Sequence, residues 1–149
     1  MEDQKVDEKA DGNVSSYTII QIPAAQIPPQ YANLIRSKFL RTLKFGNFFF
    51  RQIDSRTYFE NYQRYIMILI QRPNSKIKLA VLTDEPDTVL GWCLIEDKTL
   101  HYVWVDNLQR KQGIAKALCE GGFDKVTHMT HTGFNIFKKL NNVIFDPWS

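Results

Sequence analysis

Between Val103 and Lys116 the chain gathers side chains suited to a bound pyrophosphate. Arg110 and Lys111 bring positive charge, Gln112 follows, and Gly113 lets the backbone approach a ligand with no side chain in the way. Ile114, Ala115, Ala117 and Leu118 then read as a helix from Gly113 to about Glu120, with Ala115 keeping its first turn slim. A pyrophosphate needs several converging N–H groups, and a loop entering a helix N-terminus supplies them. Just upstream stands His101, whose neutral imidazole near pH 7 suits it to accept a proton. Strict strand alternation places it on one face with Val103 and Val105, with Tyr102 and Trp104 on the other. A satisfied structural histidine is the competing reading. Glu96 and Asp106 are rival bases, each also readable as a solvated carboxylate at a strand end.

The elements that must position these residues are legible upstream. Tyr17-Thr18-Ile19-Ile20 has strand character, and Pro23 and Pro28-Pro29 punctuate it. Pro29 suits a first helical turn, and Tyr31, Leu34, Ile35, Phe39, Leu40 and Leu43 form an apolar stripe ending near Gly46. Asp54 or Ser55 can cap a second helix with Tyr58, Tyr62, Tyr65, Ile66 and Leu69 on one face, stopped by Pro73. Three apolar runs follow, 77–83, 89–95 and 100–105, separated by Asp84-Glu85-Pro86-Asp87 and by the tight turn Asp97-Lys98. After the glycine-bearing loop the sequence predicts a short strand over 125–129, a helix over 133–140 and an apolar end at 143–145. This order predicts an α/β (α+β) chain with a mixed, mostly antiparallel central sheet flanked by helices.

The run from Val105 to Ala115 resembles the coenzyme A signature of the Gcn5-related N-acetyltransferases (GNAT), with Arg110, Gly113 and Ala115 at its anchors. Val89-Leu90-Gly91-Trp92 in the preceding meander is similar too, and the arrangement also resembles small bacteriophage-encoded members. The resemblance is clearest over 77–121. It implies acetyl-CoA as cosubstrate, with no metal, and transfer of its acetyl group to a primary amine by direct attack. It implies that the backbone near Val103 to Val105 takes the pantetheine arm and that Arg110, Lys111, Gln112, Gly113, Ile114 and Ala115 take the pyrophosphate. It makes His101 the expected base. A tyrosine in the helix after the fifth strand of the family protonates the departing thiolate; Phe137 stands there, which leaves that task to water, Tyr102 or His131. Phe48-Phe49-Phe50 and the Tyr58-Tyr62-Tyr65 face are expected walls of the acceptor site, or else core.

The chain has 149 residues, enough for one domain, expected over 16–149 after an acidic disordered tail over 1–15. The first twelve residues hold five acids against two lysines, so removing that −3 from the total of +3 leaves +6 for the remainder. That surplus suits an anionic ligand. No apolar run is long enough for a membrane span and no signal peptide is evident, so a cytoplasmic protein with no membrane partner is expected. Cys93 and Cys119 read as reduced core residues. Homodimerisation is left open. Two other functions compete with the enzyme. One is an inactive GNAT-like scaffold acting through protein contacts. The other acts on nucleic acid, because 113–121 also resembles the first helix and turn of a helix-turn-helix.

Overall fold

The computed structural model describes residues 5–7, 16–137, 139–140, 142–147 and 149. Strand β1 (Lys5–Asp7) is followed by β2 (Tyr17–Pro23), a 3-10 turn, and the helices α1 (Pro29–Gly46), α2 (Phe48–Arg51) and α3 (Ser55–Gln71). Then come β3 (Ser75–Leu82), β4 (Val89–Glu96), β5 (Thr99–Val105), α4 (Ile114–Leu118), β6 (Lys125–Val126), α5 (His131–Phe137) and β7 (Ile144–Phe145). The strands form one sheet in chain order, antiparallel from β1 to β5 and parallel from β5 to β7. This is the mixed, mostly antiparallel sheet that the sequence implies.

Pro29 opens α1, where a missing N–H does no harm, and Tyr31, Ile35, Phe39 and Leu43 fall on its buried stripe. Asp54 caps α3 by accepting from the Thr57 amide, and Tyr58, Ile66 and Leu69 are its buried positions. Both helices cover one face of the sheet, against Ile77, Leu79, Trp92, Leu94 and Tyr102. Fully burying each such aliphatic side chain contributes about 1.5–3 kcal/mol, which makes this face the principal core. The opposite face is covered by Ile114 and Leu118 of α4, packed with Leu90, Cys93, Leu100 and Val126. Gly91 permits that packing, since a Cβ there would lie 2.8 Å from the Trp104 carbonyl oxygen and 3.2 Å from Ile114 Cγ2.

Several expectations change: the strand expected over 125–129 spans only Lys125–Val126, and the helix expected from 133 begins at His131. Lys5–Asp7 pair with β2, so these residues are not tail-like: the outer edge of β2 offers unpaired N–H and C=O groups to any passing segment. The rest of 1–15 lies outside the described residues. The helix expected to reach Glu120 ends at Leu118, where Gly121 and Gly122 take positive φ and turn the chain toward the sheet. The Asp124 amide then donates to Lys98, and the chain continues as β6. No helix lies between Leu118 and His131, so the second helix of a helix-turn-helix is missing. No described helix is long and apolar enough to cross a membrane.

Candidate active site

Strand β5 divides two environments. Tyr102 and Trp104 face α1, where Tyr102 stacks on Phe39 with centroids 4.5 Å apart and Lys38 Nζ lies 5.1 Å from the Trp104 ring. Val103 and Val105 face the other way, into a cleft of about 450 Å3. The pairs Leu94↔Tyr102 and Ile95↔Leu100 leave His101 as an extra, bulged residue, so Leu100 and Tyr102 enter opposite cores. On its other side β5 pairs with β6 only through Thr99 and Leu100, extended by the Thr127 amide donating to Leu100. Beyond that point no backbone hydrogen bond joins the two segments among the described residues. The strands part where the cleft begins.

The cleft is lined by Val103 and Val105, by Gln109, Arg110, Lys111, Gly113, Ile114, Ala115 and Lys116, and by residues of the 130–136 segment. Three of these are bases and none is an acid, so the cleft focuses positive potential. Gly113 (φ 79°) is left-handed and caps α4 with no side chain, while Lys111 (φ 64°) adopts the same conformation without a glycine's freedom. The first-turn N–H groups of α4 have no intrahelical acceptor. With only five residues, α4 adds little dipole. Charge in the cleft therefore comes mainly from Arg110, Lys111 and Lys116. Gln112 is half-buried and does not line it.

His101 departs from the face expected of it. The bulge breaks strict alternation, and the ring, fully buried, does not line the cleft with Val103 and Val105. Its Nε2 lies 2.9 Å from Glu96 Oε1 and its Nδ1 2.9 Å from Thr127 Oγ1. Burial pushes His101 below its usual value, with Glu96 opposing. Burial alone would raise Glu96, but hydrogen bonds from His101 and from Arg72 Nη1 at 3.0 Å outweigh it and hold the carboxyl below its usual range. The rival Asp106 accepts from the Leu108 amide and caps a 3-10 turn.

Tyr102 is buried, and burial raises its phenol to about 12. Thr42 donates to the Lys38 carbonyl, so the Tyr102 hydroxyl at 2.7 Å donates to Thr42. His131 is exposed at the start of α5. Phe137 ends that helix, and its side chain lies outside the described residues.

A second cleft, of about 340 Å3, is lined by Asn61, Tyr62, Tyr65, Arg72, His128, Pro147 and Ser149. Of the aromatic walls expected from sequence, Tyr62 and Tyr65 line it. Tyr58 is core and donates to the Leu40 carbonyl, Phe50 packs on Tyr58 and Tyr62, and Phe48 and Phe49 are exposed. The segment 127–130 contributes to both clefts, His128 to this one and Thr130 to the cationic one. The sequence reading passes over these two residues. Their one signal is position, directly after the carboxyl end of a strand parallel to β5, where open sheets hold ligands.

No family model matches the chain, and no curated protein does. Among solved structures, a protein from Pyrococcus furiosus assigned as an acetyl transferase aligns over 87% of this chain and 80% of its own, at 17% identity and a TM-score of 0.52. The ribosomal-protein-alanine N-acetyltransferase from Brucella melitensis biovar Abortus 2308 aligns over 89% and 93%, at 16% identity and a TM-score of 0.52. The chain has the fold of the GNAT acetyltransferases. At these identities the likeness is one of fold. Within that GNAT fold the chain keeps a cationic cleft beside β5, and it carries a buried line of polar side chains next to it.

Proposed function

We propose that the chain is an acetyl-CoA-dependent N-acetyltransferase acting on a primary amine by direct attack. One observation carries this reading: the three anchors of the GNAT-like signature, Arg110, Gly113 and Ala115, line one basic cleft at the point where β5 and β6 part. Its volume of about 450 Å3 falls in the usual range for small-molecule sites. Arg110, Lys111 and Lys116 would meet the phosphates of coenzyme A, with Gly113 leaving room for close backbone approach and Gln112 supporting the loop. Ile114 and Ala115 would bound the pyrophosphate, and Val103 and Val105 the pantetheine arm.

In the reaction the amine nitrogen bonds to the thioester carbonyl carbon, the carbon–sulfur bond breaks, and the thiolate leaves. The nitrogen must then lose one proton. His101 is closed off from any substrate by its two hydrogen bonds, so its part is an indirect one. Tyr102 holds its proton against Thr42, and we assign it to positioning β5 rather than to the leaving thiolate. The test is calorimetry of the full chain with acetyl-CoA, followed by thiol release in the presence of polyamines, amino acids and peptides. Saturable heat with amine-dependent thiol release is expected. Absence of heat refutes the reading. Heat without thiol release would favour the scaffold reading, which Phe137 at the tyrosine position also supports.

A further inference from the structure

Beneath the second cleft four side chains form an unbroken line of hydrogen bonds. Glu96 Oε1 meets His101 Nε2 at 2.9 Å, His101 Nδ1 meets Thr127 Oγ1 at 2.9 Å, and Thr127 Oγ1 meets His128 Nδ1 at 2.9 Å. Proton positions follow from one end. The ionised Glu96 only accepts, so His101 Nε2 carries the hydrogen, and on a neutral ring Nδ1 is then the lone pair. Thr127 has two acceptors, that lone pair at 2.9 Å and the His101 carbonyl at 3.4 Å, and donating over the shorter distance leaves its oxygen to accept from His128 Nδ1–H. The remaining nitrogen, His128 Nε2, is therefore the free lone pair. It has no hydrogen-bond partner among the described residues, and the ring lines the cleft beside Tyr62 and Tyr65.

We propose that His128 takes the proton from the acceptor amine, and that Thr127, His101 and Glu96 pass the resulting charge inward. This inference rests on the acetyl-transfer reading. The amine gives its proton to His128 Nε2, His128 Nδ1–H passes to Thr127 Oγ1, and the Thr127 proton passes to His101 Nδ1. Each proton moves across one hydrogen bond, and nothing is oxidised or reduced. The positive charge ends on His101, against Glu96, and returns by the same route.

The ring packing shows why the charge has to move. His128 stands among Phe39 of α1, Phe50 of α2, and Tyr62 and Tyr65 of α3. Among the described residues the ionisable groups around it are those two tyrosines, Arg72 after α3, and His101 from β5; Lys44 of α1 is turned to the carbonyls of α2. Among the described residues no carboxylate is recorded in contact with it, and burial pushes its imidazole down to about 4. An imidazolium there is given no counterion among the described residues, whereas one at His101 has Glu96. His128 is the catalytic residue of this scheme. Thr127 and His101 are positioning residues.

The chain has three histidines, so 15N-labelled imidazole spectra of the full chain at neutral pH are readable once His101→Gln and His131→Gln assign them. His101 should appear protonated on Nε2 and His128 on Nδ1, and Thr127→Val should release His128 from that tautomer. His128 protonated on Nε2 in the unsubstituted chain, or unmoved by Thr127→Val, overturns the relay. Thiol release from acetyl-CoA, with spermidine and with water alone, is the second measurement. His128→Gln should lower it by roughly 10² to 10⁴ at unchanged acetyl-CoA heat, and Thr127→Val should lower it by less. Undiminished release from either variant, or no release from the unsubstituted chain with acetyl-CoA bound, also overturns the relay. Missing acetyl-CoA heat overturns the transfer reading itself, and the tautomer spectra distinguish that failure from failure of the relay.

Discussion

Gly91→Ala is the substitution that most directly tests how the site is seated. The added Cβ would stand 2.8 Å from the Trp104 carbonyl oxygen, 3.2 Å from Ile114 Cγ2 and 3.3 Å from Leu118 Cδ1. The first is backbone of the neighbouring strand, and the other two are methyls of fully buried side chains on α4. None is the free end of a flexible chain, so β5 and α4 must both move outward. Overpacking a filled core costs about 1–3 kcal/mol, and burying one methyl returns at most about 0.8 kcal/mol. The backbone contact places the net loss toward the upper end of the difference, about 1.5–2 kcal/mol. For a chain this size each kcal/mol lowers Tm by roughly 2–4 °C, so a drop of about 3–8 °C is expected. Urea denaturation followed by far-UV circular dichroism gives the free energy, and acetyl-CoA calorimetry of the folded fraction should weaken too, because Ile114 lines the cleft. A loss below about 0.5 kcal/mol, within the range of neutral surface changes, would refute the close approach of β4 to α4.

Gly113→Asp sets a carboxylate and a left-handed non-glycine residue in the basic cleft, and should weaken acetyl-CoA at least tenfold, about 1.4 kcal/mol, by calorimetry; unchanged affinity in a folded variant would remove the loop from the coenzyme site. Lys44, buried at 3% exposure, donates to the Phe50 and Arg51 carbonyls at 2.9 and 3.2 Å and also to Ile53. Lys44→Met strands those acceptors and should lose about 1–3 kcal/mol in urea denaturation, whereas an unchanged midpoint would show that water satisfies them equally well. Because burial holds His128 down to about 4, the unfolded chain takes up that proton first. Stability is thus full above pH ~6.5 and falls toward pH 4, by up to roughly 3 kcal/mol at about 1.4 kcal/mol per pH unit. His128→Gln should flatten this slope over that window, with His101 supplying what remains, and a slope identical to that of the unsubstituted chain would count against the buried neutral ring.

Long elements and the glycine-bearing loop before α4 are legible in the sequence because each repeats a signal. Tyr31, Ile35, Phe39 and Leu43 return at helical spacing beneath an opening proline, and Val105 to Ala115 joins a strand to a helix through a glycine that takes φ 79°. Elements that depend on contact are not legible. The four residues of α2 have no period to read; Asn47 caps them at one end and Lys44 gathers carbonyls at the other. The bulge at His101 appears only once β4 and β5 are paired, and it moves the one histidine that alternation had put among the cleft residues. His128, in a threonine-rich run, has no local pattern at all. Its meaning comes from Thr127 and His101, the latter 27 residues earlier in the chain.

Because every strand lies beside its predecessor in sequence, the sheet can grow outward from its middle. The β4–β5 hairpin closes through two residues, Asp97 and Lys98, and the β3–β4 hairpin through six, so loop-closure entropy is small for both. Joining β2 to this meander closes a loop spanning α1 to α3, and adding β6 requires the glycine-bearing loop and α4 to be laid across one face. Assembly is then ordered by topology, with local hairpins ahead of long closures. The seam between β5 and β6 is the thinnest, with only Thr99 and Leu100 paired and the Thr127 amide beyond them, and both clefts border it. The region proposed to bind and to react therefore hangs on few backbone hydrogen bonds, and local opening is expected there ahead of the meander that carries β5.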